Sequence, residues 1–233
     1  MKIRSFIFTI LASMSVSGVF AQTKIVYAGL SFPRGDFADD DYSKNVIHGD
    51  GKMGAASTGV SAGFKYLDVL SIPKTQWFVS ADFNYNGLLS DFKDEYEDHL
   101  TSPDYVKFET YMNIPVFVGL NYSLLDINTN ASLWVECGLG ANCRIITSGE
   151  REYSYSDFTT EYDKSIKFAY QFGAGLTFNG KYIVGLNFMN LGKDKLRGET
   201  TSHSSYDSST SNDFKSNKAL QTTTMTLRIG YMF

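Results

Sequence analysis

The chain has 233 residues and a formal net charge of −4, and loss of a leader carrying Lys2 and Arg4 takes this to −6. So acidic a mature chain is a poor partner for polyanions, which argues against nucleic acid. Two cysteines without a CxxC spacing offer no zinc framework.

Residues 1–21, MKIRSFIFTILASMSVSGVFA, have the parts of a secretory signal: Lys2 and Arg4, an apolar run from Phe6 to Met14, and a small-residue exit. Val19 and Ala21 stand where a signal peptidase reads, so cleavage before Gln22 is expected, leaving one domain over 22–233. The run is too short to span a bilayer, and no later stretch approaches about 18 consecutive apolar residues, so no spanning helix is expected.

Beyond the leader the chain is a series of alternating runs, the weak per-segment signature of a membrane barrel. Eight are read, near 23–33, 55–68, 76–89, 105–124, 131–146, 165–179, 181–192 and 219–233. The third shows the period of two most clearly: Trp77, Val79, Ala81, Phe83 and Tyr85 alternate with Phe78, Ser80, Asp82, Asn84 and Asn86. Cys137 and Cys143 fall in the fifth run, about 20 Å apart at roughly 3.3 Å per residue, too far for a disulfide. The sixth sets Phe168, Tyr170, Phe172, Ala174, Leu176 and Phe178 against Lys167, Ala169, Gln171, Gly173, Gly175 and Thr177. The last sets Met225, Leu227, Ile229, Tyr231 and Phe233 against Thr224, Thr226, Arg228, Gly230 and Met232.

The connections alternate as well. LSIPKT, LDINTN and the Asn179-Gly180 turn are short, whereas the segments 34–54, 90–104, 147–164 and 192–218 are long. Eight antiparallel strands with both termini at one end give three short turns there and four long loops opposite, as in outer-membrane barrels. The loop from Ser90 to Asp104 carries Asp91, Asp94, Asp98, Asp104, Glu95 and Glu97 against Lys93, and is strongly acidic. The last loop is rich in serine and threonine.

Alternation alone fits two solvents, since a soluble calycin-like barrel would turn the apolar face inward around a ligand. Long runs, aromatics near the run ends and polar faces bearing both signs of charge favour lipid outside and a polar lumen inside. Eight strands enclose only enough space for their own side chains, so an open pore is not expected. The fold class read here is an all-β, eight-stranded antiparallel up-and-down transmembrane barrel. Asp82, Lys107, Glu109, Glu136, Arg144, Lys167 and Arg228 are its expected lumen ion network, structural rather than a proton or solute path.

The stretch YMNIPVFVGLNYSL, with Ile114-Pro115 before an alternating run, then ECGLGANCRI and FGAGLTFNGKYIVGLNFMNLG, resembles the PorT-like outer-membrane β-barrel family of Bacteroidetes-type bacteria. The resemblance implies a Gram-negative outer membrane and a barrel; one branch of that family is linked to protein secretion and gliding. Tyr231 and Phe233 are similar to the aromatic end that barrel-insertion machinery reads. The expected partners are therefore outer-membrane lipid, that machinery and an extracellular or envelope protein.

His48, His99 and His203 all fall in predicted outer loops. EYEDHL, with Glu97, Asp98 and His99, is the nearest acid and base grouping, but a mobile loop would not hold a catalytic pair in register. Asp36 with Asp39, Asp40 and Asp41 offers oxygens to calcium without the EF-hand spacing or its glycine. No GxSxG, phosphate loop or dinucleotide fingerprint occurs. The expectation is a non-enzymatic protein with no catalytic, cofactor or metal site, whose loops serve binding, adhesion or envelope organisation. A secretion component, narrow channel or rim enzyme is the alternative.

Overall fold

Thr23–Arg34 forms β1, whose alternate side chains Ile25, Tyr27 and Ser31 are buried while Val26, Ala28 and Leu30 face outward. Such a strict period of two commits each strand to one inner and one outer face. The computed structural model describes residues 22–39, 54–99, 103–128, 130–204 and 207–233. The leader 1–21, Asp40, Asp41 and His48 lie outside the described residues.

The later strands are β2 (Gly59–Val69), β3 (Thr75–Asn86), β4 (Tyr105–Lys107), β5 (Tyr111–Asn128), β6 (Ala131–Ile146), β7 (Gly149–Tyr153), β8 (Ser156–Tyr162), β9 (Ser165–Phe178), β10 (Tyr182–Ser204) and β11 (Asp207–Met232). A ring of eight, β1-β2-β3-β5-β6-β9-β10-β11, closes when β11 pairs with β1 from Ile25 opposite Met232 to Arg34 opposite Thr223. Every pairing is antiparallel between neighbours in the ring. This is the up-and-down barrel expected from the eight runs.

Its outer face is apolar and its inner face polar. Val118, Phe168 and Ile229 are 58%, 64% and 66% exposed, whereas Asn84, Asn113 and Gln171 are wholly buried. A belt of this size is far larger than the few hundred Å² a water-soluble monomer tolerates, and the polar residues form the interior, so the calycin arrangement is excluded. Tyr66 with Trp77, and Tyr182 with Tyr231 and Phe233, group near the short-turn end.

Several expectations need correction at the long-loop end. The final long connection is a β-ladder: β10 and β11 continue past the ring to Ser204 opposite Asp207. β8, β7 and β4 add to β10 in that order and form an upper sheet above the barrel. Serine and threonine, read as loop composition, are also good strand residues when they pair with one another, as Ser202 does with Thr210 at 2.6 Å. Residues 95–99 of EYEDHL are not a loop either, because Ser90–His99 is a helix, α1, with Asp91 in its positive first turn and Phe92 turned into the interior. The LDINTN turn is mostly strand, β5 reaching Asn128 through two register shifts.

Candidate functional site

The lumen is stacked in three layers, each set by the inward faces of several strands. At the short-turn end Lys65 of β2 donates to both oxygens of Glu136 of β6, at 2.7 and 2.5 Å. Asn187 and Asn121 donate to the same carboxylate at 2.7 and 3.3 Å. The ammonium also lies 4.8 Å from the Phe78 ring centre and 5.6 Å from that of Trp134. A charge pair this buried is tolerable only when its remaining donors and acceptors are satisfied, and here they are.

A step higher, Arg228 meets Asp82 at 3.0 Å, Tyr27 donates to the same carboxylate oxygen at 2.9 Å, and the guanidinium stacks 4.7 Å over the Tyr27 ring. Above this the filling is neutral. Asn142 donates to Asn113 at 2.9 Å, and Ser31 and Thr224 share a hydrogen bond of 2.9 Å. Asn84 and Gln171 have no partner within the protein among the described residues, and buried amides of that kind are usually held by internal water.

The outer mouth is sealed by apolar side chains. Phe37, Leu88, Phe92, Tyr111, Leu196 and Leu220 form one buried cluster drawn from the 3-10 turn Gly35–Ala38, the segment before α1, α1 itself and three strands. Phe37 packs edge-on against Tyr111 at 5.0 Å, and the Tyr111 hydroxyl donates to the Gly54 carbonyl at 2.9 Å.

Of the seven residues expected in the lumen, Asp82, Glu136 and Arg228 come together at its base. Arg144 stands near the mouth, 3.3 Å from Asp194, and Lys167 reaches the other oxygen of that carboxylate at 3.2 Å. Glu109 sits under the upper sheet, accepting from Tyr162 at 3.1 Å; burial raises its carboxyl above the ordinary range, partly offset by Arg151 and the Tyr162 hydroxyl. Lys107 is a correction. It lies on β4 of the upper sheet, half exposed and 2.5 Å from Glu150, because the chain leaves the barrel line at Phe108–Thr110, where Thr110 and Thr147 bond side chain to backbone.

Two lumen partners were missed. Lys65 was open to reading, since Ser61, Gly63 and Lys65 alternate with outward residues of β2. Asp194 was not, because Gly192, at φ +97°, shifts the register of β10 between Asn190 and Lys193 and turns over the parity beyond it. Among the candidate rim groups, His203 is exposed on β10 beside Ser209, Glu97 is exposed on α1, and the His99 and Asp98 side chains lie outside the described set. Among the described residues, no group of three or more potential metal ligands gathers.

A major outer-membrane protein of Thermus thermophilus superposes with a TM-score of 0.51 over 92% of this chain and 99% of its own, at 10% identity. This is an outer-membrane-type barrel fold. The attachment invasion locus protein Ail of Yersinia pestis, solved with the heparin analogue sucrose octasulfate, matches with a TM-score of 0.43 at 15% identity, over 92% and 100% of the two chains. Neisserial surface protein A gives 0.43 at 10% identity, over 93% and 98%. No protein-family model and no curated protein matches the chain.

Proposed function

We propose that the chain is an outer-membrane β-barrel of a Gram-negative bacterium, exported by its leader, with a structural lumen and an extracellular end that works by presentation. The observation that carries this is the contrast between the two ends. The short-turn end is little more than turns, whereas the other end builds the upper sheet β11-β10-β8-β7-β4 on the barrel wall. Such a sheet holds side chains in fixed register, as a recognition surface needs. Binding, adhesion or envelope organisation is the role it fits, with no catalytic step. Tyr231 and Phe233 would serve as the insertion signal. The PorT-like resemblance supports a second reading, a secretion-system component, in which the same sheet would dock an envelope protein.

The test is mobility on gels of boiled and unboiled outer-membrane extract, combined with labelling of whole cells. Tyr155 is 64% exposed between β7 and β8. A Tyr155→Cys variant, with Cys137 and Cys143 changed to alanine, is expected to react with a membrane-impermeant maleimide on intact cells. Recovery in the soluble periplasm without a mobility shift would overturn the membrane reading; a membrane barrel that labels only after lysis would overturn the outward orientation.

A further inference from the structure

The barrel wall has one ladder interruption that the closed lumen does not explain. β10 pairs with β9 up to Asn190 opposite Tyr170 and with β8 only from Gly198 opposite Tyr162. Across the gap, Ser165 to Ala169 of β9 stay paired with β6 but have no partner on β10. Gly192 packs against Lys167 at the lower end, and a bond of 2.9 Å from the Asp163 amide to the Arg197 carbonyl closes the upper end. Between them lies a cleft of about 300 Å³.

The cleft is cationic. Lys164, Lys195 and Arg197 line it and are exposed, and among the described residues none of the three forms an ion pair. The carboxylate of Asp194 on its inner wall is already bound by Arg144 and Lys167. That leaves three free cations against the exposed Asp163. Lys193, outward on the same strand, and Lys215, opposite Arg197, continue the charge around the wall.

The height of this charge identifies its counterpart. Directly below on β9, Ile166 and Phe168 are 72% and 64% exposed on the apolar belt. Directly above, Glu161, Glu199 and Asp213 stand in one cross-strand row, three like charges side by side. The outer wall therefore reads apolar, cationic, acidic from the belt upward. In a bilayer the layer next above the hydrocarbon is that of the lipid phosphates, and lysine and arginine are favoured there. Arginine with flanking lysines is the usual phosphate grip, the guanidinium binding two oxygens at once.

We propose that the cleft between β9 and β10 binds the phosphate of a membrane lipid with a net-anionic headgroup, with Lys164, Lys195 and Arg197 as its ligands. The inference rests on the membrane reading above. The Arg144–Asp194–Lys167 group forms the rigid back of the site, and the acidic row sets its upper limit.

The test is native mass spectrometry of the mature chain released from zwitterionic micelles, with short-chain phosphatidic acid, short-chain phosphatidylcholine and inorganic phosphate as probes. Phosphatidic acid is expected to be retained in preference to the other two. In a Lys195→Gln, Arg197→Gln variant its binding should weaken about 30-fold, at the usual worth of a cation near a lipid surface. Lys74→Gln, at the opposite end of the barrel, should leave binding unchanged. Equal retention of phosphatidylcholine, binding of inorganic phosphate as tight as that of the lipid, or an equal loss in Lys74→Gln would each overturn the site. Unboiled mobility in the same micelles separates the two readings: a compact barrel without phosphate preference sinks only the lipid site, whereas no compact form sinks the membrane reading as well.

Discussion

At the scale of single residues, the lumen is a set of paired charges. Arg228 and Asp82 are both almost wholly buried, so removing one partner leaves the other stranded. Arg228→Met is expected to cost about 3 kcal/mol or more, and the double change Arg228→Met, Asp82→Leu to recover most of it. Denaturant titration in micelles checks this; a variant of unchanged stability but altered permeability would make the network a transport path instead. Aromatic rings set a second demand. Phe78 lies over Gly119 and Gly138, and Trp134 over Gly175 and Gly185. The glycines of the polar faces are thus the space in which a narrow barrel stores large rings. A Cβ at Gly175 would run into the Trp134 ring and the Val184 carbonyl, so Gly175→Ala should destabilise by about 1–3 kcal/mol in the same titration. The alternation showed that Asp82, Glu136 and Arg228 face inward, but not which cation meets which carboxylate, because partners lie on strands far apart in sequence.

At the scale of elements, the eight runs and the turns at LSIPKT and Asn179-Gly180 were legible because period two and a turn such as Asn179-Gly180, with φ of +50° and +61°, are local properties. The upper sheet was not. β4 and β7 are short, and their pairing depends on register set elsewhere, as does the parity of β10 beyond the Gly192 bulge. The joint between barrel and upper sheet should respond to pH through Glu109, which contacts Tyr162 and packs against Gly149. Burial raises its carboxyl, so the folded form holds the proton more tightly than the unfolded one. The stabilisation is then complete below the ordinary carboxyl range and is lost as pH rises through the raised value. The protection of amides 108–111 against exchange, relative to the intrinsic rate at each pH, is expected to fall over that interval in the native chain and to stay level in Glu109→Gln. A native chain as level as the variant would show that the carboxyl is not in control there.

At the scale of the whole molecule, the described residues fill the axis in layers: an ion-paired base, an amide-filled middle and an apolar cap around Phe37 and Tyr111. Planar-bilayer recordings of the mature chain are expected to show no steady conductance, and a stable open level would contradict the sealed mouth. The strand number predicted a filled lumen, and the structure adds that the apolar cap shares its end of the axis with a second ion group, Arg144–Asp194–Lys167. The ring is completed by its first and last strands. The Lys24 amide donates to the Phe233 carbonyl at 3.1 Å and the Phe233 amide to the Lys24 carbonyl at 2.9 Å. Strand β1 therefore waits for β11, Asp207–Met232, to be delivered before it acquires its second neighbour. Until then the cell is holding an unclosed ribbon with two raw edges and one greasy side. Assembly is in that sense a race between the arrival of β11 and the pairing of those open edges with something else.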